Sequence, residues 1–122
     1  LKDSIRGRGE NISSFEVEME VRSHPAVLDC AAVGVPSPYG EDDVLVAVEL
    51  KPDASISERE LFDFLAPRMA HFMLPRFIRF TALPRTPTSK VQKVVLRQEG
   101  VSPGTWDREA AGIRVKRDAI TT

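Results

Sequence analysis

Between residues 64 and 98 the chain carries seven cations, Arg68, Arg76, Arg79, Arg85, Lys90, Lys93 and Arg97, and not one carboxylate. Cations with no local counter-charge suit a solvated basic face or a surface that receives an anion such as a phosphate, and composition alone favours the solvated face. The other reactive side chains narrow the chemistry by what they lack. Cys30 is the single thiol, so it has no intrachain disulfide partner, and the apolar run around it makes it a reduced, buried side chain. Neither His24 nor His71 has a second ligand at metal spacing, so no protein-held metal is expected. Glu41-Asp42-Asp43 are three consecutive acids without the spaced ligands of a calcium loop, and they read as a solvated turn. No nucleophile–base pair is detectable.

The elements that must position these residues form an order of strand, helix, strand, strand, helix, strand, helix. A short strand over Leu1–Arg8 runs into Gly7-Arg8-Gly9, where the backbone turns or approaches something closely. Ser13 and Glu16 have the spacing of a capping box and start a helix, with Val17, Val21 and nearby Phe15 as its apolar side and His24-Pro25 as its stop. Val27–Val35 and Val44–Leu50 are apolar runs that read as a pair of buried antiparallel strands. Ser57-Glu58-Arg59-Glu60 opens a second helix carrying Leu61, Phe62 and Leu65, which stops near Pro67. Pro75–Thr81 is a third strand of this sheet, Leu83–Ser89 a loop rich in Pro and Thr, and Val91–Gln98 a final helix stopped by Gly100. The class is α+β, helices packed on a small, mostly antiparallel sheet. A polar tail follows from Val101, with Trp106 and Ile113 as docking points.

Length and charge set the outer bounds. The 122 residues suffice for one domain, and 17 Lys and Arg against 18 Asp and Glu leave a net charge of −1. That near-neutral total hides a balance of −8 over residues 1–63 against +7 over 64–98. No apolar run approaches the ~20 residues of a membrane span and no signal peptide opens the chain, so a cytoplasmic protein is expected. Because the first residue is Leu1 and not Met, a fragment or a processed product is expected.

Three ordered motifs carry a resemblance. Leu1-Lys2-Asp3-Ser4-Ile5-Arg6-Gly7-Arg8-Gly9-Glu10-Asn11-Ile12 followed by Glu16-Val17-Glu18 resembles the opening of the C-terminal domain of the adenylate-forming (ANL) enzymes, the superfamily of acyl-CoA synthetases, adenylation domains and luciferases. Leu83-Pro84-Arg85-Thr86-Pro87-Thr88-Ser89-Lys90-Val91-Gln92-Lys93 resembles the lysine loop near the end of that domain, with Ser89 where the family usually has Gly. His24-Pro25-Ala26-Val27 and Ala32-Val33-Gly34-Val35-Pro36 resemble the stretch between them. The similarity covers about residues 1–100, leaving 101–122 as a C-terminal tail. Gly-Glu-Asn-Ile-Ser-Ser-Phe-Glu-Val-Glu and Thr105-Trp106-Asp107-Arg108-Glu109 look most like the crotonobetaine/carnitine-CoA and fatty-acyl-CoA ligases.

The resemblance implies a lid domain, inactive alone, that works against a larger N-terminal domain of the same chain. ATP, Mg²⁺ and coenzyme A would be used by the full-length enzyme: a carboxylate attacks ATP to give an acyl-adenylate and pyrophosphate, then the CoA thiol displaces AMP. It implies that Lys90 is catalytic, bridging the α-phosphate and the incoming carboxylate, and that Lys2 is the hinge. It implies further that Gly9 lines the pantetheine tunnel, and that Phe72 and Arg76 meet the adenine and phosphates of CoA, with Met73 at a common Lys position. Lys93 is read as facing solvent. Two alternatives stand beside this reading. One is a stand-alone anion- or nucleic-acid-binding module, suggested by Phe72, Phe77 and Phe80 among the arginines. The other is the lid of an aryl-CoA ligase or a peptide-synthetase adenylation domain, since acid selection lies outside this stretch. With the ligase reading no nucleic acid and no membrane span is expected.

Overall fold

The computed structural model describes residues 4–7, 9–38, 40–115 and 120–121. A hairpin of β1 (Ser4–Gly7) and β2 (Glu10–Ser13) leads into α1 (Ser14–Arg22). Then come β3 (Val27–Pro36), β4 (Asp42–Leu50), α2 (Glu58–Leu65), a 3₁₀ turn at His71–Met73 and β5 (Phe77–Phe80). The chain closes with α3 (Lys93–Glu99), β6 (Trp106–Asp107), β7 (Arg114–Val115) and β8 (Ile120–Thr121).

Local sequence explains the helix starts. Ser57 Oγ accepts from Glu60 N at 3.0 Å while Glu60 Oε1 accepts from Ser57 N at 2.7 Å, a complete capping box. Ser13 Oγ likewise accepts from Glu16 N at 3.2 Å, so the helix follows directly on β2. Of the apolar side expected for α1, Val17 and Val21 are buried, but Phe15 is 62% exposed because positions 15 and 17 lie far apart around a helix.

The central sheet has the order β3-β4-β5-β6, with β4 and β5 parallel and the other two pairings antiparallel. It is the small, mostly antiparallel sheet of an α+β domain. Strand side chains alternate between faces, and here both faces are apolar. Cys30, Ala32, Val44, Val46, Val48 and Ile78 point to one side, where Val17 and Val21 of α1 and Leu61, Phe62 and Leu65 of α2 cover them. Ala31, Val33, Val35, Leu45, Ala47 and Phe77 point to the other, covered by Leu83 and by Leu96 of α3. Full coverage on both sides accounts for the continuous apolar runs in the sequence. Cys30 is buried as expected, and that burial pushes its thiol up to about 12, which makes it inert at neutral pH.

The segment after residue 100 joins this core. β6 pairs with β5, Ile113 is fully buried, Val115 is 5% exposed, and Trp106 packs against Phe62 with ring centroids 5.9 Å apart. Trp106 and Ile113 therefore dock within their own domain. Among the described residues no helix is long and apolar enough to cross a membrane.

Candidate functional site

Lys90 stands on a tight hairpin between β5 and α3. Arg85 and Val91 form a single antiparallel bridge, and inside it Thr86 N donates to the Lys90 carbonyl at 2.8 Å. Ser89 N donates to the Thr86 carbonyl at 2.8 Å, and Lys90 N donates to Thr86 Oγ1 at 3.1 Å. Such a short loop needs a left-handed residue just before the chain returns, the place where glycine is usual. Ser89 fills it with φ of 68°, the one positive-φ residue other than glycine among those described. A left-handed L-residue costs roughly 1–2 kcal/mol, of which glycine's greater freedom in the unfolded chain gives back about half. Ser89→Gly is therefore expected to stabilise the domain by about 0.5–1 kcal/mol, read as a higher urea midpoint at unchanged slope; a lower midpoint would contradict the strain.

The acid-free cations can now be followed one by one. Arg76 is met by Asp107 at 3.1 Å, Asp43 at 3.0 Å and Glu109 at 3.4 Å. Arg79, which is buried, holds Glu99 at 2.6 Å and Ser102 Oγ at 2.7 Å, tying β5 to the end of α3. Arg85 Nη2 reaches Asp29 at 2.9 Å and lies 3.8 Å from Glu49. Lys93 does not face solvent as expected: its ammonium sits 2.7 Å from Glu18, itself buried on α1. Arg68 lies over the Phe64 ring at 4.1 Å. Lys90 and Arg97 are left, exposed and without an ion pair among the described residues. Folding thus neutralises most of the charge that stands out in the sequence, using carboxylates far away along the chain. Asp29 shows the effect on both partners: burial pushes its carboxyl up, but the hydrogen bonds from Arg85, Cys30 N and Arg22 outweigh that and hold it below the ordinary value.

At the other end of the β3–β4 ladder lie the residues expected to meet coenzyme A. The β1–β2 hairpin turns through Gly9, whose φ is 76° and whose amide donates to Glu41 Oε1 at 2.9 Å. A Cβ on Gly9 would meet nothing within 4 Å, whereas one on Gly7 would come 2.9 Å from the Asp42 carbonyl. Gly7 is required by packing inside the domain, and Gly9 by its backbone angle on an open side. Phe72, in the 3₁₀ turn, is half-buried against the main core. With Gly7, Asp43 and Arg76 it lines a crevice of only 10 Å³, too small for a ring. Arg76 is 17% exposed, and its guanidinium is occupied by three carboxylates that the sequence placed nowhere near it. Asp43, expected as part of a solvated turn, is one of them, and Glu41 serves Gly9. Lys2, expected as the hinge, lies outside the described residues.

Register separates the two sets. Arg85 is anchored at Asp29, opposite Glu49, while the Gly9 hairpin and Arg76 meet Glu41, Asp42 and Asp43, opposite Pro36 and Val35. Seven residues of strand from 29 to 36 put about 23 Å between these ends. Lys90 and Gly9 are thus at opposite ends of the domain and cannot serve one small reacting centre at the same time.

Comparison with known proteins decides what kind of domain this is. A family described as the AMP-binding enzyme C-terminal domain matches residues 16–90, more than half of the chain. The chain belongs to that family. This AMP-binding enzyme C-terminal domain is 39% identical over 100 residues to "Probable CoA ligase CCL11" of Humulus lupulus, covering 80% of this chain and 18% of that protein. It is 37% identical over 99 residues to "4-hydroxybutyrate--CoA ligase 2" of Metallosphaera sedula, covering 81% of the chain and again 18% of the relative. Among solved structures, ATP-bound MatB from Rhodopseudomonas palustris superposes with a TM-score of 0.75 at 33% identity, over 80% of this chain and 20% of that one. Amide bond synthetase McbA from Marinactinospora thermotolerans gives 0.74 at 31%, over the same shares. The AMP-binding domain described here spans about a fifth of the length of these relatives.

Proposed function

We propose that this domain is the moving lid of an ATP-dependent acyl-CoA ligase and that Lys90 is its catalytic residue in the first of two half-reactions. In that step a carboxylate oxygen bonds to the α-phosphorus of ATP, the bond to the pyrophosphate oxygen breaks, and pyrophosphate leaves with the electron pair. In the second, the CoA thiol loses its proton and displaces AMP from the acyl carbon. The observation that supports this reading best is the state of Lys90: an exposed ammonium without a carboxylate partner among the described residues, on a loop whose flanking cations Arg85 and Lys93 are both paired with acids. A cation spent on an internal ion pair could not stabilise charge on a substrate; this one is free to do so. The long flexible stem lets one ammonium touch both the α-phosphate and the attacking carboxylate.

The separation of about 23 Å supports a lid with two working positions. With Lys90 over the phosphate, the Gly9 end faces away; after a swing, Gly9 and Phe72 come to the acyl centre, where the open space beside Gly9 admits the thin pantetheine arm. Phe72 is proposed on the path of the CoA nucleotide, and Arg76 acts at that end by drawing Asp43 and Asp107 together around the turn that carries it. Lys2 is proposed as the pivot. Mg²⁺ would come bound to ATP; among the described residues no group of three or more His, Cys, Asp or Glu side chains could hold a metal. The rest of the enzyme is proposed as an N-terminal domain binding ATP and the acid, in a cytoplasmic protein. Relatives with different acids, and an amide bond synthetase, carry a similar domain, so the acid is chosen elsewhere.

The polyanion-binding alternative loses most of its basis, because Phe77 belongs to the core and four of the seven cations are paired with acids. The test uses ATP–pyrophosphate exchange. The domain alone, given ATP, Mg²⁺ and a panel of carboxylic acids, is expected to exchange nothing, while the full-length protein exchanges and releases AMP when CoA is added. Exchange by the domain alone would overturn the lid reading.

A further inference from the structure

The Lys90 hairpin is braced on both flanks by ion pairs that converge on one unit of the fold. Before the loop, Arg85 binds Asp29 through Nη2 and donates from Nη1 to the Ser89 carbonyl at 3.2 Å. After it, Lys93 holds Glu18. Arg22 then joins the two carboxylates, 3.2 Å from Asp29 and 3.8 Å from Glu18. Five charged side chains, Arg85, Asp29, Arg22, Glu18 and Lys93, run without a break from one flank of the loop to the other.

Both carboxylates are themselves fixed to backbone. Cys30 N donates to Asp29 Oδ1 at 2.8 Å, and Ala32 N donates to Glu18 Oε2 at 2.8 Å. These amides belong to β3, the edge strand, and α1 lies along it. The network is therefore fixed to the β3 backbone, while Lys90 itself stays outside it. Partly exposed ion pairs contribute little to stability, and Arg85 is 34% exposed. Their larger consequence is positional, because a catalytic group displaced by about 1 Å can lose up to 100-fold in rate. The strained Ser89 sits where Arg85 grips the loop, so the network also holds the residue that would otherwise relax.

We propose that the chain Arg85–Asp29–Arg22–Glu18–Lys93 is a positioning device for Lys90, which fixes the root of its side chain and affects acyl-adenylate formation only through that lysine. The proposal rests on the catalytic reading of Lys90 given above. Asp29 is its central residue, since it holds both arginines.

The test is made in the full-length ligase with Asp29→Asn, which keeps size and removes the charge that both arginines bind. Acyl-adenylate formation is expected to fall about 10- to 100-fold, while thioester formation from supplied acyl-adenylate is unchanged. In a Lys90→Ala background, Asp29→Asn should cause no further loss. Arg85→Met should repeat the pattern, which guards against misfolding of a single variant, and a melting curve is recorded for each. A merely structural role would slow both half-reactions, or would slow adenylation equally with and without Lys90; either result overturns the proposal. If Lys90→Ala itself leaves adenylation intact, the catalytic reading falls; if it is crippling and Asp29→Asn is silent, only the positioning role falls.

Discussion

Lys90→Ala in the full-length ligase is expected to slow acyl-adenylate formation by about 10²–10³-fold, the cost of removing one charge-stabilising group at a centre where negative charge collects. Two negative groups must approach each other in this step, the carboxylate and the α-phosphate, and an ammonium that touches both lowers their repulsion most in the transition state. Substrate binding should change less than turnover, because ATP and the acid are proposed to be held by the other domain. Lys90→Arg is expected to recover little. Its planar fork is rigid and cannot follow two oxygens on different groups as a compact ammonium can. Pyrophosphate release in a single turnover gives the rate directly, and a loss smaller than tenfold would remove Lys90 from the chemistry.

A different kind of effect is expected at the other end of the domain. Arg76→Met leaves Asp43 and Asp107 close together with no cation between them. Breaking a buried pair from one side costs roughly 3–5 kcal/mol, and the residual exposure of Arg76 and Asp107, 17% and 26%, lowers the expectation to about 2–3 kcal/mol. The pH dependence gives an independent check. Burial pushes the Asp107 carboxyl up, but hydrogen bonds from Arg76 and from the backbone of Glu109 and Ala110 prevail and hold it below its ordinary value. Its folded pKa is therefore lower than the roughly 3.9 of an unfolded Asp. The stabilisation is present above that value and is lost as pH falls through the folded pKa. The wild-type domain should weaken on acidification below about pH 4, and the gap to Arg76→Met should narrow there. Urea titrations at several pH values measure this; a constant gap would show that Arg76 acts through packing alone.

These two sites also show what the sequence could and could not convey. Val27–Pro36 and Asp42–Leu50 were legible because both faces of the sheet are covered, so the strands are apolar almost throughout. Ser57 and Glu60 announced α2 through a contact three residues apart, the kind of signal a linear reading catches. β6 to β8 were not legible, since two-residue strands carry no period to detect. Lys90 is singled out only by the motif around it, and the left-handed backbone at Ser89 was foreshadowed by the usual glycine there. The partners of the cations were hidden for a different reason. Arg85 and Asp29 are 56 positions apart, and Arg76 and Asp107 are 31 apart, so nothing in a local window connects them. The acid-free stretch looked like a single basic surface only because its counter-charges are supplied by α1, β3, β4, β6 and the last residue of α3.

The most direct measurement is thioester formation by Lys90→Ala ligase given synthetic acyl-adenylate and CoA, timed beside the wild-type enzyme. The lid account predicts a rate close to wild type, because Lys90 and the Gly9 hairpin occupy opposite ends of the domain and only the latter attends the second step. A loss as deep as that in adenylation would contradict it.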